Sequence, residues 1–297
     1  MITNKKILLS RASLFKNTRS FFNQKKFLEI DTPILSTSLP HEANLYPFLV
    51  KSSQSSNNLY LPASPEKALK QVFSWYQKPI FSISKSFRDL ESTGPLHLSE
   101  FTLLEWYTPH TNYLDTLKLT QEYLDFVFSK FSFSHNTSWE TLPLPKLFSR
   151  YAPHLKIPNN EPDFNQIFLN QIEPHLSKHP FLFITHYPAF LSPLAQKEEN
   201  NQFAQRFECY IKGVEIANAC TENTDYKSIK QSFLQESKFR TIKKLPNPPL
   251  DQDFLDSISL LPPSSGCGLG LDRLLMLLLK LNNLNQITPL NLTQPKK

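Results

Sequence analysis

Glu208 and Glu215 flank the dipeptide Lys212-Gly213 in RFECYIKGVEIAN (206–218). Glycine at the second position of a two-residue turn takes the positive φ that such turns need, so the stretch predicts a hairpin. With that turn, Ile211 faces Val214 and Tyr210 faces Glu215. Alternation along the strand puts Glu208 on the face of Tyr210. Cys209, Ile211, Val214 and Ile216 fall on the other face and read as core. Two carboxylates side by side on a sheet call for a cation. Hard oxygen ligands suit Mg²⁺, which takes one or two protein carboxylates and completes its shell with water and phosphate oxygens. The same pair on a solvated outer face would hold no ion, and the hairpin by itself is compatible with both.

An anionic ligand would need cations. Arg88 ends IFSISKSF (80–87), and Arg273 follows the last glycine of SGCGLGLDRLLML (265–277). Guanidiniums grip phosphate and carboxylate through forked hydrogen bonds. His97 follows Arg88 across a polar loop containing Gly94-Pro95. The chain has 5 glycines in 297 residues, and Gly266, Gly268 and Gly270 stand together before Arg273. Such sparing use predicts positions that tolerate no side chain. They are either backbone lying against a flat or anionic ligand at the start of a helix, or a tight turn under a core helix. No GxxxxGK phosphate loop is present. Glu66, Glu105 and Glu222 adjoin apolar residues, and Glu105 shares a strand face with Tyr107. A buried carboxylate needs a partner, supplied by a ligand ammonium or by an Arg or Lys from elsewhere.

These residues need a scaffold. Residues 8–25 predict an amphipathic helix with Leu8, Ala12, Phe15 and Phe22 on one face. FLEIDTPIL (27–35) reads as extended chain, since Pro33 favours extension at Thr32. Residues 45–62 predict strands around the polar SSQSSNN turn. Ser64-Pro65 opens a helix with Leu69, Val72, Phe73 and Tyr76 as its buried stripe. Further strands are predicted at 80–87, 100–107 and 181–188, and helices at 112–131, 226–243 and near 271–281. The weakly patterned, Pro-rich 132–180 is expected to be a variable insertion, and 285–297 a frayed tail. Successive hairpins with helices before and after indicate one α+β domain over 1–297, built on an antiparallel sheet.

A net charge of +6 and a pI of 9.0 suit an anionic partner, or a plain lysine-rich surface. Cys209, Cys220 and Cys267 lack zinc-ligand spacing, and their odd number argues against a disulfide framework. A cytoplasmic location is expected. The N-terminus has no signal-peptide core, and the apolar run Leu274 to Leu279 is too short to span a bilayer.

In order and spelling, four segments resemble the catalytic core of class II aminoacyl-tRNA synthetases of the lysine type. FLEIDTPIL is similar to motif 1, SFRDLESTGPLHLSEFTLLEWY to motif 2 and GCGLGLDRLLML to motif 3. RFECYIKGVEIANACTENTD is similar to the lysine-type hairpin between motifs 2 and 3. The resemblance runs from 10 to 280. It implies the class II fold, an antiparallel sheet flanked by helices. The motif 1 helix begins near residue 8, so no anticodon-binding domain is expected. Together with the LEWY ending of motif 2, this favours the truncated lysyl-tRNA synthetase paralogues, which attach lysine to a lysine side chain of elongation factor P.

The resemblance implies ATP and Mg²⁺ as cofactors and lysine, α or (R)-β, as substrate. Arg88 would hold the α-phosphate and the substrate carboxylate. Arg273 would hold the γ-phosphate and pack on adenine, with Phe101 on the other side of the base. Asp89, Glu91, His97, Glu215, Ile216 and Gly270 would complete the nucleotide site, and Glu208 and Glu215 would carry the metal. Glu105, Tyr107 and Glu222 would surround the side-chain ammonium. Glu66, with Ser64 beside it, would take the other amine, Asn218 would orient the carboxylate, and Gly268 would lie beside the amino acid. Three departures stand out: Arg88-Asp89-Leu90-Glu91 in place of Arg-x-Glu, Leu98-Ser99 in place of Asn-Pro, and Lys26 in place of a motif 1 glycine. Truncated relatives often carry Ala at the place of Gly268, and a methyl-sized change there would tune the preference between lysine isomers. The implied reaction forms an aminoacyl-adenylate and passes it to elongation factor P. The alternatives are a minimal lysyl-tRNA synthetase charging tRNA, and a regulatory module that binds nucleotide or amino acid without turnover. Motif 1 implies a homodimer.

Overall fold

The computed structural model describes residues 3–43, 45–53, 57–90, 94–133 and 138–288. Helix α1 (Asn4–Gln24) starts at the Thr3 cap, whose hydroxyl accepts from the Lys6 N–H. It buries Ile7, Leu14, Thr18, Phe21 and Phe22. The expected face is therefore rotated: Leu8 is 49% exposed and Phe22 alone of the four is buried. The helix turns to put Thr18 Oγ1 2.8 Å from the Tyr123 hydroxyl and Phe22 against Phe81 and Trp106. Lys26 takes φ 63°, the left-handed conformation that favours glycine, which the motif 1 comparison placed there.

Strand β1 (Leu28–Glu29) is followed by the hairpin β2 (Phe48–Lys51) and β3 (Asn58–Leu61). Helix α2 (Glu66–Tyr76) comes next, then β4 (Ile80–Phe87), β5 (Glu100–Pro109) and α3 (Tyr113–Lys130). Pro65 is the cap of α2, one place earlier in the helix than expected, and Ser64 Oγ accepts from the Glu66 N–H at 3.4 Å. The stretch 132–180 is structured where described. It forms β6 (Glu140–Pro143), α4 (Leu144–Tyr151), α5 (Glu161–Ile167), a π-helical turn at Phe168–Ile172 and α6 (Glu173–Leu176). Its Leu147, Phe148, Phe164, Phe168, Ile172 and Leu176 make a second apolar cluster against Leu182, Ile184 and Tyr210.

Strands β7 (Phe181–Pro188), β8 (Phe203–Ile211) and β9 (Val214–Thr221) follow, then α7 (Tyr226–Lys243), α8 (Gln252–Ile258), β10 (Ser264–Gly270) and α9 (Leu271–Leu278). At the start of the expected tail, a 3-10 turn at Leu284–Ile287 takes in residues 285–287 with Ile287 fully buried, and residues from 289 lie outside those described.

The main sheet has the order β1-β4-β5-β10-β9-β8-β7-β6. Its inner six strands are antiparallel, and β1 and β6 join the edges in parallel. The glycine-rich stretch is thus a central strand rather than a loop. Ser265, Cys267 and Leu269 point one way and the glycines the other, an alternation with period two. The first face carries Leu104, Trp106, Phe207, Cys209, Cys267 and Leu269 into a core closed by α1, α3 and α9. The opposite face is partly covered by α2, α7 and α8, whose Leu69, Phe73, Phe233 and Phe254 cluster with Ile80 and Tyr107.

The β8–β9 turn places Lys212 at φ 51° and Gly213 at φ 82°, both in the left-handed region that such hairpin turns need. A Cβ on Gly213 would also lie 3.0 Å from the Ser177 backbone nitrogen. Gly213→Ala is expected to lower stability by about 1–3 kcal/mol through this double conflict; equilibrium urea unfolding should show the loss as a reduced midpoint.

Candidate active site

Across the open face, side chains line up in rows. One runs Tyr107, Gly266, Cys220, Arg206, and the next Glu105, Gly268, Asn218, Glu208. Each row has a glycine in its middle, so polar groups on β5 and on β9–β8 face each other across a trough with no side chain in its floor. At Gly266 the need is steric, because a Cβ there would overlap the Tyr107 ring. At Gly268 a Cβ would find its nearest neighbour, Glu105 Oε2, at 3.8 Å. Gly94 and Gly270 have similar room, so the expectation that every glycine excludes a side chain fails at these three positions.

Burial concentrates acid at one end of the trough. Glu105 and Glu222 are 5% and 4% exposed. The Tyr107 hydroxyl donates to Glu105 Oε1 at 2.6 Å. Burial first, and then the Glu66 charge, push the Glu105 carboxyl well above the usual carboxylate range. Burial raises Glu222 to about 7 even though the Lys70 ammonium opposes it. Lys70, on α2, is the residue that sequence reasoning missed here. It is 2% exposed, and its Nζ lies 2.5 Å from Glu66 Oε1 and 2.6 Å from Glu222 Oε2. The second contact is a close ion pair, off line for a hydrogen bond. Nearby Glu42 is pushed to about 8 by burial and by the Glu66 charge. The buried Arg240 holds that segment by donating to the Glu42 and Leu45 carbonyls, with Tyr46 under its guanidinium.

Cations gather toward the other end. Arg273 donates from Nε to the Leu96 carbonyl at 3.2 Å and from Nη1 to the Glu215 carbonyl at 2.9 Å, with Glu215 Oε2 at 3.5 Å. It therefore joins the loop after Arg88 to the hairpin carboxylate. The Arg88 guanidinium lies 5.0 Å over the Phe101 ring. The Asp89 N–H donates to the Tyr46 carbonyl, and the His97 N–H reaches the Gly94 carbonyl. Glu91 lies outside the described residues. Ile216 is buried, so only its backbone can face the trough.

The hairpin register slips at Cys209/Tyr210. The bulge sends both Ile216 and Ala217 into the core and sets Glu208 opposite Asn218, a shift that a uniform two-residue register misses. Burial first, and then the Glu215 charge, push the Glu208 carboxyl up, against the pull of the Arg206 guanidinium. Glu208 Oε1 accepts from Arg206 Nη2 at 2.5 Å, and Oε2 accepts from the Tyr210 hydroxyl at 2.7 Å and the Tyr187 hydroxyl at 2.5 Å. Arg206, also missed in the sequence, donates from Nε to Asn218 Oδ1 at 3.0 Å. That leaves the Asn218 amide hydrogens as its free end, a donor suited to a carboxylate.

All three cysteines are free thiols, raised by burial and so poor nucleophiles. Among the described residues no helix is long and apolar enough to cross a membrane. No group of three or more His, Cys, Asp or Glu among them could hold a metal ion by itself. A two-carboxylate site completed by phosphate oxygens remains chemically suited to Mg²⁺.

The sequence model of tRNA synthetases class II (D, K and N) matches residues 3–294. The elongation factor P–(R)-β-lysine ligases of Salmonella paratyphi B and Salmonella schwarzengrund are each 33% identical over 303 aligned positions. The alignment covers 94% of this chain and 93% of each relative. A sheet of antiparallel strands flanked by helices, with the motif residues along one trough, accords with that match, and the chain belongs to the class II tRNA synthetase family of the D, K and N type.

Proposed function

We propose that this enzyme activates lysine, as (R)-β-lysine or α-lysine, with ATP and transfers it to a lysine side chain of elongation factor P. The observation that carries the reading is the buried set Glu105, Glu222 and Tyr107, with half-buried Glu66 at its edge, beside the glycine-floored trough that leads to Arg88 and Arg273. A site of this kind suits a ligand with two ammonium groups and rejects one that leaves its carboxylates unpaired. The named activity of the Salmonella relatives supports the acceptor and the β isomer. The space beside Gly268 supports a pocket that accepts either isomer.

In this reading Glu105, Tyr107 and Glu222 hold the distal ammonium, Glu66 holds the nearer amine, and the Asn218 amide and Arg88 hold the carboxylate. ATP lies bent along the trough. Arg273 neutralises its terminal phosphate, and Arg88 moves off Phe101 to bridge α-phosphate and carboxylate, freeing the ring to stack on adenine. Asp89, His97 and the Ile216 and Gly270 backbone complete the nucleotide site. Glu215, with the more open carboxylate, and Glu208 would hold Mg²⁺, which when bound would neutralise phosphate charge. Arg206, Tyr187 and Tyr210 keep Glu208 aimed into the trough.

The substrate carboxylate attacks the α-phosphorus and pyrophosphate leaves, giving the aminoacyl-adenylate. The acceptor amine then attacks the acyl carbon, AMP leaves and the amine gives up a proton. Positioning and charge neutralisation supply most of the acceleration. Exposed Leu28, Ile34 and Leu35, in the segment similar to motif 1, support a homodimer.

Arg273→Ala is expected to cut lysine-dependent ATP–pyrophosphate exchange by roughly 10²–10³-fold; near-normal exchange would remove its assigned role. Glu105→Gln is expected to raise the KM for lysine by about ten- to a hundredfold while leaving the KM for ATP within about twofold. Equal loss of both would mark Glu105 as structural. The acceptor is tested by incubating enzyme, ATP and labelled lysine or β-lysine with elongation factor P or with tRNA. Label on the protein is the expected result, and label on tRNA alone would refute protein lysylation.

A further inference from the structure

A lysine buried inside a lysine-binding pocket needs an explanation. Lys70 Nζ touches Glu66 Oε1 at 2.5 Å and Glu222 Oε2 at 2.6 Å, and it lies 5.7 Å from the Tyr107 ring centre. Glu66 sits one turn earlier on the same helix, whereas Glu222 comes from the end of β9, across the sheet. In the reading above, these two carboxylates serve opposite ends of the substrate. One internal ammonium therefore ties together the two groups that read the two substrate amines. The second oxygen of Glu222 takes a weak contact from the Cys220 thiol at 3.9 Å, which a ligand ammonium would replace.

We propose that Lys70 is a positioning residue for substrate recognition, whose ammonium fixes the separation of Glu66 and Glu222 so that the pair gauges the spacing between the two amines of the substrate. The inference rests on the proposed function and deepens it. The two amines of (R)-β-lysine are one bond closer than those of α-lysine, so a fixed gauge discriminates between isomers by geometry, as well as by the methyl-sized space at residue 268. Lys70 also keeps the pocket from being a cluster of bare anions. The groups that face it are Glu66 from α2, Cys220 from β9, Glu222 just past that strand and the Tyr107 ring from β5, with Glu105 and Glu42 beyond them. Burial of an ammonium alone is unfavourable, and here the two carboxylates outweigh it, holding Lys70 charged.

The test uses Lys70→Met, which replaces the aliphatic stem at nearly the same length and removes the charge, and Lys70→Arg, which keeps the charge and changes its reach. ATP–pyrophosphate exchange is measured with α-lysine and with (R)-β-lysine across pH. For Lys70→Met the KM for the preferred isomer should rise at least about tenfold, with the KM for ATP within about twofold. The acid limb of kcat/KM for that isomer should move to higher pH, because losing the neighbouring positive charge makes Glu222 harder to ionise. Lys70→Arg should return that limb toward its original position yet change the ratio of kcat/KM between the isomers by about tenfold or more. If Lys70→Met does not fold, Lys70→Arg alone decides the gauge. An unaltered isomer ratio in every folded variant, or a Lys70→Met that loses activity with the acid limb unmoved, overturns the inference and leaves the proposed function standing. An unsubstituted enzyme that activates neither isomer overturns the proposed function first.

Discussion

Three carboxylates and one ammonium, enclosed on one face of a β-sheet, are the constraint around which the rest of this molecule is arranged. Ionised carboxylates out of water cost several kcal/mol each unless they are paired, and Lys70 is a single charge. Protons meet the surplus: burial lifts Glu105 well above its ordinary range, Glu222 to about 7 and neighbouring Glu42 to about 8. A ligand carrying ammonium groups satisfies the same deficit. Stored electrostatic demand of this kind selects for charge more sharply than an apolar slot selects for size.

The architecture serves that demand and a second one beside it. The β10 glycines leave the floor empty between Glu105 on β5 and Asn218 on β9. Arg206, on the same face as the trough, aims Asn218 and Glu208 at once. Asp272 accepts from Arg11 on α1 and from the Thr102 N–H on β5, both at 2.6 Å. This anchors α9 and therefore the base of Arg273. Arg273 on α9 and Glu105 on β5 are thereby tied to the same central part of the sheet.

Much of the frame was legible because its signals are local. IFSISKSF and FLFITHYP alternate or run apolar over the lengths of β4 and β7, and Lys212-Gly213 marks its own turn. The glycine-rich stretch is a strand whose alternation is plain once one face is allowed to have no side chains. The α1 face was misjudged because Leu8 is apolar yet exposed, whereas Thr18 is polar yet buried through its bond to Tyr123. Lys70 and Arg206 escaped for a related reason. A charged residue in a polar stripe or at a strand start reads as solvent-facing, and only tertiary pairing with Glu222 or Glu208 reverses that. The bulge at Ile216 was equally hidden, because it arises from how two strands meet and no residue type announces it.

Proton accounting tests the central claim most directly. An ammonium ligand pairs with ionised carboxylates, so below about pH 7, where Glu222 carries a proton, binding must expel protons. Affinity should then rise with pH through this range and level off above it, by up to tenfold per unit for one proton displaced. Calorimetric titration with lysine or (R)-β-lysine at pH 6, in buffers of different ionisation enthalpy, should reveal release of about one proton or more per ligand. Tight binding of either isomer with no proton exchanged would contradict the account.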